Sequence, residues 1–108
     1  MKHDSFRDYV TEQLAGLPQL TVRPMFSGYG LYSGERFFGI ISSGQLFFKT
    51  NSHTRAKFQA TGMKPFAPSA DQVLKNYYEV PPEVLEDKVE LVVWAQEASG
   101  LGVSNGSN

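Results

Sequence analysis

The sequence predicts an α+β domain: an antiparallel five-stranded sheet with helices packed on one face, in the order α-β-β-β-β-α-β-α. Three observations lead there. Short aromatic-rich runs alternate with glycine-containing turns between Leu20 and Thr50, which is the pattern of an antiparallel meander. Helix-spaced apolar residues occur only in segments outside that run. Runs of strands bracketed by separate helices fit a layered α+β arrangement better than an alternating parallel one.

The elements follow in order. Asp4 or Ser5 caps a first helix, in which Phe6, Tyr9, Val10, Gln13 and Leu14 recur at helical spacing until Gly16-Leu17-Pro18 ends it. Leu20 to Arg23 reads as a strand that reaches Met25-Phe26, with Pro24 confined to an edge or bulge because it offers no ladder donor. Gly28 and Gly30 read as a bend or bulge, since glycine accepts positive φ and lets a second backbone come close. Tyr29 to Tyr32, Arg36 to Ser42 and Gln45 to Thr50 are the next strands, joined by turns at Ser33-Gly34-Glu35 and Ser43-Gly44. Asn51 or Ser52 opens a second helix running to about Ala60, with Gly62 as its stop. Met63 to Asp71, with Pro65 and Pro68, is expected to be a loop pinned by Phe66. Val73 to Val80 is the fifth strand, and Pro81-Pro82 ends it. Asp87 with Glu90 caps a last helix that is expected to turn Val89, Val92, Val93 and Trp94 inward. Residues 1–99 form one domain and residues 100–108, rich in glycine and serine, a flexible tail.

Composition excludes several classes of function. The 108 residues include no cysteine, so disulfides, thiolate metal sites and cysteine nucleophiles are absent. No apolar run approaches the roughly 20 residues of a membrane helix, and a cytoplasmic location is expected. His3 and His53 lack the spacing of a metal site, and no carboxylate set alternates as in a calcium loop. Gly28-Tyr29-Gly30 lacks the third glycine and the following helix of a dinucleotide loop. Glu83, Glu86 and Asp87 sit where acids complement a helix start. The sequence therefore contains no catalytic constellation, and neither an enzyme activity nor a cofactor is expected.

Net charge is −1, unevenly spread. Arg36 to Ala70 contains no acid, while acids dominate from Asp71 onward. Phe37-Phe38, Phe47-Phe48 and Tyr77-Tyr78 each place one ring on each side of a strand. Tyr78 is expected to share the core side with Leu74 and Val80. Phe38, Phe47 and Tyr77, with Arg23 and Lys49, are expected on a mixed face suited to a protein partner or a second copy of the chain. Arg55 and Lys57 on the second helix would add positive charge for an acidic partner. Ten lysines and arginines offset by eleven acids do not suit autonomous DNA binding. The alternative is a small-molecule or enzymatic pocket beside the Gly28–Gly30 bend, with Arg23 anchoring an anion.

The motifs Arg23-x-Met25-Phe26-x-Gly28-x-Gly30-x-Tyr32, Gln45 to Lys49, Tyr77-Tyr78-x-Val80-Pro81, and Leu85-x-Asp87 ahead of Trp94-Ala95 together resemble the TfoX/Sxy N-terminal domain family. Ser27 departs from the family's usual glycine, and the bend is expected to survive with a narrower φ range. The resemblance implies the same α+β fold. It also implies a bacterial role in transcription of competence genes alongside the cyclic-AMP receptor protein, here without the family's separate C-terminal domain. A non-enzymatic interaction module, an accessory to transcription, is the function expected.

Overall fold

The computed structural model describes residues 4–25 and 28–100. Helix α1 (Ser5–Gln13) begins where the Asp4 carboxylate accepts the Arg7 backbone N–H, at 2.9 Å. Strands β1 (Leu20–Met25), β2 (Gly28–Ser33), β3 (Arg36–Ser42) and β4 (Gln45–Lys49) form the expected meander. In α2 (Ser52–Ala60) the Asn51 side chain accepts from His53 and Thr54, and Thr54 Oγ1 accepts the Asn51 N–H, closing a capping box. Gly62, at φ +80°, follows this helix in the left-handed conformation that stops it. Strands β5 (Pro65–Ser69) and β6 (Gln72–Glu79) form a hairpin, α3 (Pro82–Leu85) is a single turn, and α4 (Lys88–Ser99) completes the described fold.

The sheet has six strands in the order β1-β2-β3-β4-β6-β5, rather than the five expected. The added strand is β5, read from sequence as a loop. Its two prolines are compatible with pairing because β5 is the outermost strand, where a missing donor costs no ladder bond. The Phe66 pin is present: its ring centroid lies 4.5 Å from that of Phe47.

Helices cover one sheet face. Val10 of α1, Leu14 and Leu17 just after it, Phe58 of α2, Val84 of α3, and Leu91 and Ala95 of α4 are buried against Leu31, Phe38, Ile41, Leu46, Phe48, Tyr78 and Val80. The α4 expectation needs correcting. Leu91, Ala95 and Ser99, spaced one turn apart, are the buried residues, while Val89 is 74 % and Val93 41 % exposed. Trp94 is half-buried, its ring 4.8 Å from that of Phe58. The helix is apolar around much of its circumference, so valine content could not set its rotation.

A bulge sets the other face. Tyr32 pairs with Phe37 and Leu31 with Gly39, which leaves Phe38 as an extra residue in β3. Strict alternation from Ile40, opposite Phe47, would carry Phe38 to Phe47's side. With the bulge, Phe38 turns into the helix-covered core, 5.5 Å from Phe48, while Phe37 stays opposite Tyr32 on the open side. Between β5 and β6 the register shifts on both sides of Phe66, which pairs with Leu74, so Leu74 joins Phe66 rather than Tyr78.

Gly28 and Gly30 lie in regular strand, and neither is among the residues with positive φ. Their need is close approach. A Cβ on Gly28 would sit 1.9 Å from the Ile41 carbonyl oxygen, and one on Gly30 would sit 2.8 Å from Met25 Sδ and 3.0 Å from the Phe37 ring. The β1 and β2 strands are neighbours, as expected. Phe26 and Ser27, and with them the effect of serine at the family's glycine position, lie outside the described residues, as does the expected tail beyond Gly100.

Candidate functional site

The face opposite the helices carries a row of rings and cations. Arg23 of β1 stacks its guanidinium over Tyr32 of β2, 4.5 Å from the ring centroid. Tyr32 meets Phe37 of β3 at 5.2 Å, and Phe37 meets Tyr77 of β6 at 5.8 Å. Phe37 reaches Tyr77 past Lys49 of β4, which pairs with Tyr77 and is exposed. Gly30 makes the row possible, because Met25, Tyr32 and Phe37 fill the space above it.

Neither Arg23 nor Lys49 makes an ion pair among the described residues, where the side-chain pairs are Arg7–Asp8 and Lys57–Glu97. The half-buried Tyr77 phenol is held above its ordinary pKa, first by loss of hydration and then by the neighbouring Tyr32. The row is therefore aromatic and carries two cations, with the Tyr77 phenol holding its proton at physiological pH.

The remaining residues expected at a partner surface are placed otherwise. Phe38 is fully buried on the helix side, for the reason the bulge supplies. Phe47 does lie on the open face, but only 5 % of it is exposed because Phe66 covers it. Arg55 and Lys57 belong to α2, which packs through Phe58 on the helix-covered side. Arg55 donates to Thr50 Oγ1 and Asn76 Oδ1, and Lys57 bonds Glu97 and sits 4.1 Å from the Trp94 ring centroid. Lys57 is thus a latch between α2 and α4. Of the seven residues expected at the partner surface, Arg23, Lys49, Tyr77 and the covered Phe47 lie on the open face, and the first three belong to the row or border it.

Sequence reasoning missed Tyr32 and Phe37 as members of the row. In the sequence Tyr32 stands out only as part of the family motif. Phe37 was legible as the other half of its aromatic pair, but choosing between Phe37 and Phe38 required the bulge.

Two concavities border the row. A polar cleft of about 370 Å³ lies at the β3–β4 end, lined by Arg36, Phe37, Lys49, Asn51, Glu97 and Ser99. Arg36 is engaged there, donating to the Ser99 carbonyl at the end of α4. An apolar pit of about 230 Å³ lies between the β1–β2 and β5–β6 hairpins, beside Gly28. Arg23 is not part of its wall, so the pit lacks the anion anchor expected for a pocket at this bend.

No group of three or more His, Asp or Glu side chains among the described residues is arranged to hold a metal. His53 is exposed at the start of α2, with its backbone N–H donating to Asn51. Asp87 caps α4 by accepting from the Val89 and Glu90 backbones, while Glu90 accepts from Trp94 Nε1. No helix of the described chain is long and apolar enough to cross a membrane.

The remaining motif residues are structural. Tyr78 and Val80 are buried and Pro81 is enclosed at the start of α3, with Asp87 and Trp94 fixing the rotation of α4 over the sheet. No curated protein matches the chain. The family model for the TfoX N-terminal domain matches residues 12–100, which span every motif just described, and the chain belongs to that family.

Proposed function

We propose that this domain is a non-catalytic interaction module that receives an acidic segment of a partner protein on its open sheet face. The observation that carries the reading is the row Arg23–Tyr32–Phe37–Tyr77 with Lys49 beside it, on the side the helices leave free. Half-exposed rings supply apolar area at low entropic cost, and Arg23 and Lys49 make no ion pair among the described residues, although Glu79, opposite Phe47, places one carboxylate on the same face. Carboxylates of a partner would gain two charge-assisted contacts without displacing an existing ion pair.

The setting we propose is transcriptional control of competence in a bacterial cytoplasm, which family membership makes the natural context. The transcription machinery or the cyclic-AMP receptor protein would then supply the acidic segment. A homodimer through the same face is the competing use.

Selection of random 12-residue peptides displayed on phage against the immobilised domain tests the reading. Enrichment of peptides rich in Asp and Glu is expected, together with an affinity drop of about 10-fold or more for Arg23→Glu/Lys49→Glu. No enrichment, or enriched peptides that bind the double variant equally well, would refute it.

A further inference from the structure

The apolar pit shares the open face with the row of rings and cations. Met25, Ile40, Phe66, Pro68 and Leu74 give it an apolar lining, with Ser42 and Gln72 as polar members. No carboxylate, ammonium, guanidinium or imidazole lines it. A charged group entering it would lose hydration and find no counter-charge, so its occupant is uncharged. Its volume of about 230 Å³ exceeds the roughly 150 Å³ of an apolar cavity known to hold a benzene ring. One large side chain fits; a drug-sized ligand does not.

Met25 and Arg23 are two residues apart on β1, hence on the same side of the sheet and about 7 Å from each other along the strand. Gly30, opposite Arg23, is in turn opposite Ile40, which lines the pit. The pit and Arg23 are thus separated by one pleat. An extended segment lying along β1 matches that spacing when an acidic residue stands two positions from a bulky apolar one, since its own side chains repeat with the same period.

We infer that the pit is the anchor pocket of the partner segment proposed above: it takes one bulky uncharged side chain, aromatic or branched aliphatic, while an Asp or Glu two positions away meets Arg23. This rests on the peptide-binding reading and adds to it a site and a spacing.

The phage selection separates the two claims. Wild-type domain should enrich peptides with Phe, Trp, Leu or Met at a fixed offset of two from an acid. In a synthetic peptide of that kind, followed by fluorescence anisotropy, changing the anchor to Ala should weaken binding about 10-fold or more. Gln72→Trp, at an exposed pit-lining position, and Leu74→Arg, which brings a charge into the pit, should each weaken the anchored peptide about as much. In both variants the anchor-to-Ala change should have little further effect, while Arg23→Glu should leave anchor dependence and remove acid dependence. Far-UV circular dichroism melts confirm that the variants fold, and Gln72→Trp keeps the test alive if Leu74→Arg does not.

Acidic peptides with no preferred apolar position would overturn the pit and leave the charged face standing. An equal anchor-to-Ala loss in wild type and in both variants would place the anchor elsewhere and overturn it as well. No enrichment overturns both claims. Displacement of the anchored peptide by a 12-nucleotide oligothymidylate at lower concentration than unlabelled peptide would also overturn both, assigning the rings to single-stranded nucleic acid.

Discussion

Single residues fix what the open face can be. Gly28 has no room for a methyl group because a Cβ would lie 1.9 Å from a backbone oxygen of the neighbouring strand, which cannot swing aside. Gly28→Ala should therefore destabilise the domain by about 2 kcal/mol or more, read from urea midpoints, because strand pairing itself must give way. Gly30→Ala meets Met25 Sδ and ring edges instead, which can shift, so a smaller loss and a rearranged ring row are expected.

Tyr77 gives a pH signature. Its folded pKa is raised by burial and by Tyr32, so the folded state holds the phenol proton more tightly than the unfolded chain. That contribution is whole below the unfolded phenol pKa of about 10 and is lost as pH rises through the higher folded value. Urea midpoints should fall across this alkaline range, and Tyr77→Phe should fall less steeply. Equal slopes for the two proteins would show that Tyr77 carries none of the effect.

At the scale of elements, the sequence was legible wherever local chemistry decides. Asp87 caps the helix it was expected to cap, Asp4 and Asn51 are the caps from the expected pairs Asp4 or Ser5 and Asn51 or Ser52, and the four-strand meander follows its glycine turns. It was not legible where a register shift decides. Strict period-two counting places Phe38 outside and groups Leu74 with Tyr78, and register shifts, one between β2 and β3 and two between β5 and β6, reverse those assignments. The rotation of α4 was hidden for a different reason, since Val89, Leu91, Val92, Val93 and Ala95 leave no polar stripe to orient it. Truncation measures that rotation. Leu91→Ala should cost about 2–5 kcal/mol, because Leu91 is fully buried, whereas Val89→Ala should stay within about 0.5 kcal/mol. Thermal melts of the two variants distinguish the observed packing from the expected one, which reverses the order.

For the whole molecule, the division into a covered and an open sheet face carries the functional account. The covered face holds the core, and the open face holds Arg23 and Lys49, which make no ion pair among the described residues, so a partner can dock without disturbing folding. The basic second helix was expected to share in that surface, but its Arg55 and Lys57 are committed to contacts on the other side. Binding through exposed charge should weaken with ionic strength, and raising salt from about 0.05 to 0.5 M should lower affinity for an acidic peptide mainly through the association rate. Light scattering separates this use from self-association: a monomer at micromolar concentration fits a hetero-partner surface, and a dimer broken by Arg23→Glu/Lys49→Glu fits the competing use.

The most direct test of the account is a backbone and side-chain NMR titration of the isotope-labelled domain with a selected acidic peptide. The account predicts chemical-shift changes concentrated at Arg23, Tyr32, Phe37, Lys49 and Tyr77 and continuing to Met25 and Leu74. Changes confined to α2 and α4, or no saturable change at any residue, would contradict it.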